Sequence, residues 1–106
     1  MADFIKARVV TSVRPNENCF LGSNIRINIL LDDVTSLDTA KITIDDPSEN
    51  VKVDDVDIIK LADGIYEYIF NTTNTWDGGE YIATVTLTSG TATYEHQITF
   101  YLWEPV

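Results

Sequence analysis

Apolar and polar residues alternate with a period of two along most of this chain. The clearest case is residues 81–88, where Tyr, Ala, Val and Leu alternate with Ile and Thr. Because successive side chains of a strand point to opposite faces, this pattern predicts a strand with one buried face. A turn is predicted before it at Asp77-Gly78-Gly79, since glycine can take a positive φ without a Cβ clash.

The same alternation recurs between turn signals and predicts seven or eight short strands. The assigned strands cover residues 4–13, 24–31, 40–44, 51–53, 65–70, 81–88 and 93–103. Residues 54–57 are predicted to be an acidic loop, and the apolar stretch from Val56 to Leu61 fits either a further strand or a single helical turn, because periodicity does not decide over so few positions. No helix-period segment of ten or more residues occurs, so we expect an all-β sandwich in one domain, residues 1–106.

Charge narrows the set of partners. The net charge is −10, and it is uneven: residues 1–26 hold four basic and two acidic side chains (+2), whereas residues 27–106 hold three and fifteen (−12). A phosphate backbone would be repelled, so nucleic acid is not an expected partner. No apolar run is long enough to span a membrane, and the N-terminal residues lack the apolar core of a signal peptide.

The residue types that commonly do chemistry are scarce. Cys19 is the sole cysteine and His96 the sole histidine, so no intrachain disulfide is expected, and a catalytic dyad would need these two side chains adjacent. The acidic pairs, such as Asp45/Asp46, lie in predicted loops without a neighbouring cleft. We therefore expect a protein that is not an enzyme.

Calcium is the one metal that the acidic loops suggest. Asp54, Asp55 and Asp57 place three carboxylates within four residues, and Asp63 follows in the next turn. Hard cations take several loop oxygens, but no stretch matches an EF-hand loop. These four residues are the calcium candidates, with a solvated acidic loop as the alternative, and no other cofactor is expected.

A short motif resembles a known family. Asp77-x-Gly79-x-Tyr81-x-Ala83 is similar to the immunoglobulin-type Asp-x-Gly-x-Tyr-x-Cys, with alanine at the cysteine position. The resemblance implies an immunoglobulin-like Greek-key β-sandwich of seven to eight antiparallel strands that lacks the disulfide. It also implies a tyrosine corner, in which the Tyr81 hydroxyl is bonded to nearby backbone.

A longer pattern extends the resemblance over roughly residues 19–103. Asp46-Pro47-Ser48-x-Asn50, Asp63-Gly64-x-Tyr66-x-Tyr68-x-Phe70 and Trp76-x-x-Gly79-x-Tyr81 resemble prokaryotic immunoglobulin-like modules. Such modules occur in bacterial and archaeal surface proteins and in tailed-phage virion proteins. They serve many roles, so the resemblance bears on fold more than on function.

The functional expectation is a non-enzymatic structural or binding module. We expect a capsid decoration or accessory virion protein of a tailed phage or archaeal virus, made in the host cytoplasm without a signal peptide. Its partner is then a capsid or other virion protein, and the sequence leaves the oligomeric state open. The alternative is an adhesion module that binds host glycan or protein at a cell surface.

Two groups of side chains are candidate interfaces. The basic first strand would dock on an acidic capsid surface, and Tyr101 and Trp103 should point outward because they alternate with the inward Phe100 and Leu102. Exposed aromatic residues near a chain end anchor partners or simply cover a sheet edge. The interface candidates are Lys6, Arg8, Arg14, Tyr101 and Trp103.

Overall fold

The computed structural model of the chain describes residues 5–12, 19–32 and 37–104. These residues form nine strands and no helix, so none of them belongs to a helix that could cross a membrane. The strands are β1 Ala7–Thr11, β2 Cys19–Phe20, β3 Asn24–Leu31, β4 Thr39–Asp45, β5 Val51–Asp57, β6 Ile59–Ala62, β7 Ile65–Asn71, β8 Gly79–Ser89 and β9 Ala92–Trp103.

The strands form two sheets whose inner faces pack together. One sheet has the order β1-β3-β7-β6, and the other has the order β2-β9-β8-β4-β5. Buried side chains from both sheets make one hydrophobic core. The predicted all-β class is confirmed, and the two packed sheets are compatible with a β-sandwich.

The side chains that the period of two predicts to point inward lie in the core. The four alternating residues of β8, from Tyr81 to Leu87, are fully buried, as are Ile25, Ile27 and Ile29 of β3. An aromatic contact joins the two sheets: the ring of Phe70 on β7 lies 6.1 Å from those of Tyr81 and Phe100. Tyr81 and Phe100 are opposite each other on β8 and β9, and their rings stack at 6.1 Å.

The turn before β8 is held by the Tyr81 hydroxyl. This hydroxyl donates a 2.7 Å hydrogen bond to the carbonyl of Asp77, which is the contact that the resemblance predicts for a tyrosine corner. Burial, together with the nearby carboxylates of Asp46 and Asp77, raises the pKa of Tyr81 to about 12. Gly79 has φ +141, and a Cβ on it would lie 2.7 Å from the Cγ of Pro47. The turn therefore needs glycine at this position.

The region between β4 and β7 differs from its expected form. Residues 54–57 were expected to be an acidic loop, but they belong to β5, which pairs with β4 at the edge of the five-stranded sheet. The ambiguous stretch that follows is strand, not a helical turn: β6 pairs with β7 in the other sheet. The single residue Ile58 joins β5 to β6, and its side chain is buried. The edge strands β5 and β6 must therefore lie on the same side of the molecule.

The expectation that all strands are antiparallel is wrong at one pair. β2 is a two-residue strand that runs parallel to the end of β9, with Cys19 opposite Leu102 and Phe20 opposite Trp103. The other pairs are antiparallel in the described residues. β2 was not expected because two residues are too few to show a period, and its partner lies some eighty residues later in the chain.

Removing the Tyr81 hydroxyl should destabilise the fold. We expect Tyr81→Phe to lower the free energy of unfolding by roughly 1–2 kcal/mol, because the substitution removes one hydrogen bond and leaves a carbonyl without its partner. Urea denaturation measures the change. Tyr101→Phe is the matched control, since that side chain is half exposed and its substitution should be nearly neutral. Equal stability of the native and Tyr81→Phe proteins would contradict the role given to this hydroxyl.

Truncating an inward residue of β3 should destabilise the fold more than removing the Tyr81 hydroxyl. Ile27 is fully buried between the sheets, so Ile27→Ala should lower the free energy of unfolding by roughly 2–5 kcal/mol through lost transfer energy and a cavity. The same truncation at Ile59, which is 68% exposed, should change stability by less than about 0.5 kcal/mol. Thermal and urea unfolding of both variants provide the comparison, and a near-neutral Ile27→Ala would show that the register of β3 is misassigned.

Candidate functional site

An exposed aromatic cluster lies where β2 meets the end of β9. We call Phe20, Tyr101 and Trp103 the aromatic patch; they are 43%, 50% and 47% exposed. The rings of Tyr101 and Trp103 lie 5.0 Å apart at 53°, and Phe20 is opposite Trp103 in the parallel pair. Tyr101 and Trp103 face outward as predicted, because the residues that alternate with them are buried.

A shallow recess adjoins the aromatic patch. It has a volume of about 250 Å³ and is lined by Gly78, by the last three residues of β9 and by Glu104, which follows β9. The amide of Gly78 donates a 3.2 Å hydrogen bond to Oε1 of Glu104, and a Cβ on Gly78 would lie only 2.7 Å from the Cγ of Glu104. The turn that Tyr81 holds therefore also closes one wall of this recess.

The basic side chains of the first strand lie on the outer face of the four-stranded sheet, whereas the aromatic patch lies on the outer face of the five-stranded sheet. Lys6 and Arg8 are exposed, and they point away from the core that Ile5, Ala7 and Val9 enter. β1 and β2 are the edge strands opposite the β5–β6 edge, so the two candidate interfaces lie along one side of the molecule. They occupy the outer faces of different sheets, and the third basic candidate, Arg14, lies outside the described residues.

The calcium candidates are not gathered into one site. Asp54, Asp55 and Asp57 lie along β5, where strand geometry turns Asp54 and Asp55 to opposite faces. Asp57 and Asp55 both lie near Lys41 and raise its pKa. Asp57 forms an ion pair with Lys41 at 3.1 Å, and its hydrogen bond raises the pKa of that lysine. Asp63 pairs instead with Lys60 at 3.2 Å. In residues 5–12, 19–32 and 37–104 no three His, Cys, Asp or Glu side chains are grouped to hold a metal.

Cys19 and His96 are far apart on the same pair of strands. Cys19 is opposite Leu102, which comes six positions after His96 in β9, or roughly 20 Å away at about 3.3 Å per residue. His96 is exposed and stacks on Tyr94, with the two rings 5.9 Å apart. This separation rules out direct hydrogen bonding between the thiol and the imidazole.

Among the acidic residues that the structure describes, Asp46 is the buried one, and it organises the β4–β5 turn. Oδ1 of Asp46 accepts hydrogen bonds from the backbone amides of Ser48 and Asn50 at 2.9 and 2.8 Å, and Nζ of Lys52 lies 3.8 Å from Oδ2. Burial alone would raise the pKa of Asp46, but these hydrogen bonds and the lysine charge lower it overall. Lys52 also lies 4.9 Å above the centre of the Trp76 ring. Asp46 is therefore a structural carboxylate that positions Pro47 against Gly79.

Sequence reasoning missed Phe20 and the structural role of Asp46. Phe20 had no signal of its own, since its exposure beside Trp103 follows from a pairing between distant parts of the chain. Asp46 did carry a local signal: an aspartate followed by Pro-Ser, with an asparagine four residues on, is typical of a side-chain-capped turn.

Comparisons with known proteins assign no family to the chain. No family model matches the sequence, and no curated protein is similar to it at a significant level.

The charge on Asp46 should make stability depend on pH. A lowered carboxyl pKa contributes stability above the unfolded-state pKa of about 3.9, and that contribution is lost as the pH falls through the lower folded-state value. Asn at this position keeps an acceptor for the two amides but removes the charge. We therefore expect Asp46→Asn to be less stable than the native protein at pH 7 and the difference to shrink below a pH of about 3.9.

Urea unfolding between pH 7 and acid pH tests this, with Asp54→Asn as the control because Asp54 is exposed. A stability difference between Asp46→Asn and the native protein that stays constant across the pH range would show that the charge is not responsible.

Proposed function

We propose that this chain is an immunoglobulin-like, non-enzymatic binding module and an accessory protein of a virus particle, such as a capsid decoration protein. Support for the immunoglobulin-like assignment comes from strand order. Four strands in the order β1-β3-β7-β6 face a sheet in which β9, β8 and β4 are consecutive, and immunoglobulin sheets have the same orders, ABED and GFC. The tyrosine hydrogen bond at the start of β8 agrees with the same family.

The aromatic patch is the observation that carries the binding role. Three large aromatic side chains, each 43–50% exposed, are adjacent at a sheet edge beside a recess. Tyrosine and tryptophan are enriched in protein interfaces because they bury a large area with few rotatable bonds. The virion setting rests on the resemblance to prokaryotic and phage modules described above. In this proposal the aromatic patch docks on a capsid or other virion protein.

Particle association tests the proposal directly. The native chain should be present, by quantitative mass spectrometry, in virus particles purified on a density gradient, and its gene should lie among genes for virion proteins. We expect Trp103→Ala to reduce the copy number on particles, because truncating a central interface tryptophan costs about 2 kcal/mol or more. Val51→Ala is the control, since Val51 is 54% exposed on the distant β5 edge.

Each result has a distinct meaning. A native chain that is absent from particles would overturn the virion role. A Trp103→Ala variant that stays at native copy number would overturn docking through the aromatic patch. Glycan-array binding by the native protein that is lost in Trp103→Ala would instead favour the adhesion alternative, in which the same exposed rings stack on host sugars.

A further inference from the structure

Aspartate is followed directly by glycine at two places in the chain, Asp63-Gly64 and Asp77-Gly78. Such a pair can react with itself, because glycine has no Cβ to keep its amide nitrogen away from the preceding carboxyl group. The nitrogen bonds to Cγ of the aspartate, its proton and a carboxyl oxygen leave as water, and a succinimide ring forms. Water then opens the ring. Opening at the main-chain carbonyl gives isoaspartate, in which the main chain is one carbon longer.

Ring closure requires the peptide group between the two residues to rotate. Its C=O and N–H lie in one plane, so the nitrogen turns towards Cγ only if the whole plane turns about the Cα–C bond of the aspartate. A hydrogen bond at either end of the plane opposes this rotation, since it must open before the ring closes. The hydrogen bonds of the two peptide groups therefore decide which aspartate reacts faster.

The peptide group between Asp77 and Gly78 is held at both ends. Its carbonyl accepts the 2.7 Å hydrogen bond from the Tyr81 hydroxyl, and its N–H donates the 3.2 Å hydrogen bond to Oε1 of Glu104. A Cβ on Gly78 would also lie 3.1 Å from the backbone nitrogen of Glu104 and 3.2 Å from the carbonyl oxygen of Leu102, so the end of β9 leaves this group little room to turn. The turn beside the aromatic patch therefore protects Asp77.

The peptide group between Asp63 and Gly64 is not held in this way. These two residues form the turn between β6 and β7, and within the part of the chain that the structure describes neither the carbonyl nor the N–H of this group has a hydrogen-bond partner. The side chain of Asp63 is 77% exposed, and its ion pair with Lys60 restrains it weakly, because exposed ion pairs contribute little. Asp63 is therefore the freer of the two aspartates to close the ring.

We propose that Asp63 is a site of spontaneous isoaspartate formation in the folded protein and that Asp77 is protected from the same reaction. The reaction needs only the chain and water, so it does not depend on the function proposed above. The added carbon lengthens a turn of two residues between strands that pair at three positions, with an irregularity between Lys60 and Ala62. All four residues of β6 are exposed, so the modification should loosen this edge strand without opening the core.

Incubation of the folded chain at neutral pH in water enriched in heavy oxygen tests the proposal, since ring opening adds one labelled oxygen to the product. A glutamate-specific protease cuts after Glu67 and Glu80 and so places Asp63 and Asp77 in different peptides. Mass spectrometry with electron-transfer fragmentation then measures the label and the isoaspartate at each site. Each hydrogen bond that must open slows closure by a factor of about 2 to 12, so Asp77 should react at least about four times more slowly than Asp63.

The chain unfolded in guanidinium chloride is the matched reference, because neither peptide group then has its native contacts and both sites should react at similar rates. Glu104→Ala removes the acceptor of the Gly78 amide and should raise the rate at Asp77 by about twofold or more, with no change at Asp63. Glu95→Ala alters another exposed glutamate of the same region and should change neither rate. Circular dichroism and urea unfolding check that both variants keep the native fold.

Two results would contradict the proposal. If Asp63 gains no label in the folded chain, or gains it no faster than Asp77 does, the assignment of the reactive site is wrong. If a folded Glu104→Ala variant reacts at Asp77 no faster than the native chain, the hydrogen bonds of that turn do not protect it.

Discussion

The aromatic contact between the two sheets is the interaction on which the rest of the structure depends. Phe70 is the member of this cluster that comes from the four-stranded sheet, and it packs against the stacked pair of Tyr81 and Phe100. Cys19 is the only cysteine, so no intrachain disulfide can join the sheets, and non-covalent contacts such as this packing must do so. Tyr81 is fixed at its ring by this packing and at its hydroxyl by Asp77, and it therefore holds both the core and the turn beside the aromatic patch.

The parts of the fold that could be predicted are those with a local signal. β3 and β8 alternate over at least seven residues, and one buried face requires one register. β5 was shortened in the prediction because aspartate is depleted in strands, yet an edge strand tolerates charges and even uses them against aggregation. Asp55 has a positive φ of 50°, and the amino-acid composition of β5 gives no sign of this backbone irregularity.

The candidate site likewise has a part with a local sequence signal and a part without one. The outward direction of Tyr101 and Trp103 follows from alternation within β9, but the position of Phe20 beside them depends on a parallel pairing that no local pattern encodes. For the acidic residues, the sequence suggests a grouping that the described residues do not show. A strand turns Asp54 and Asp55 to opposite faces, and the nearby lysines pair with Asp57 and Asp63.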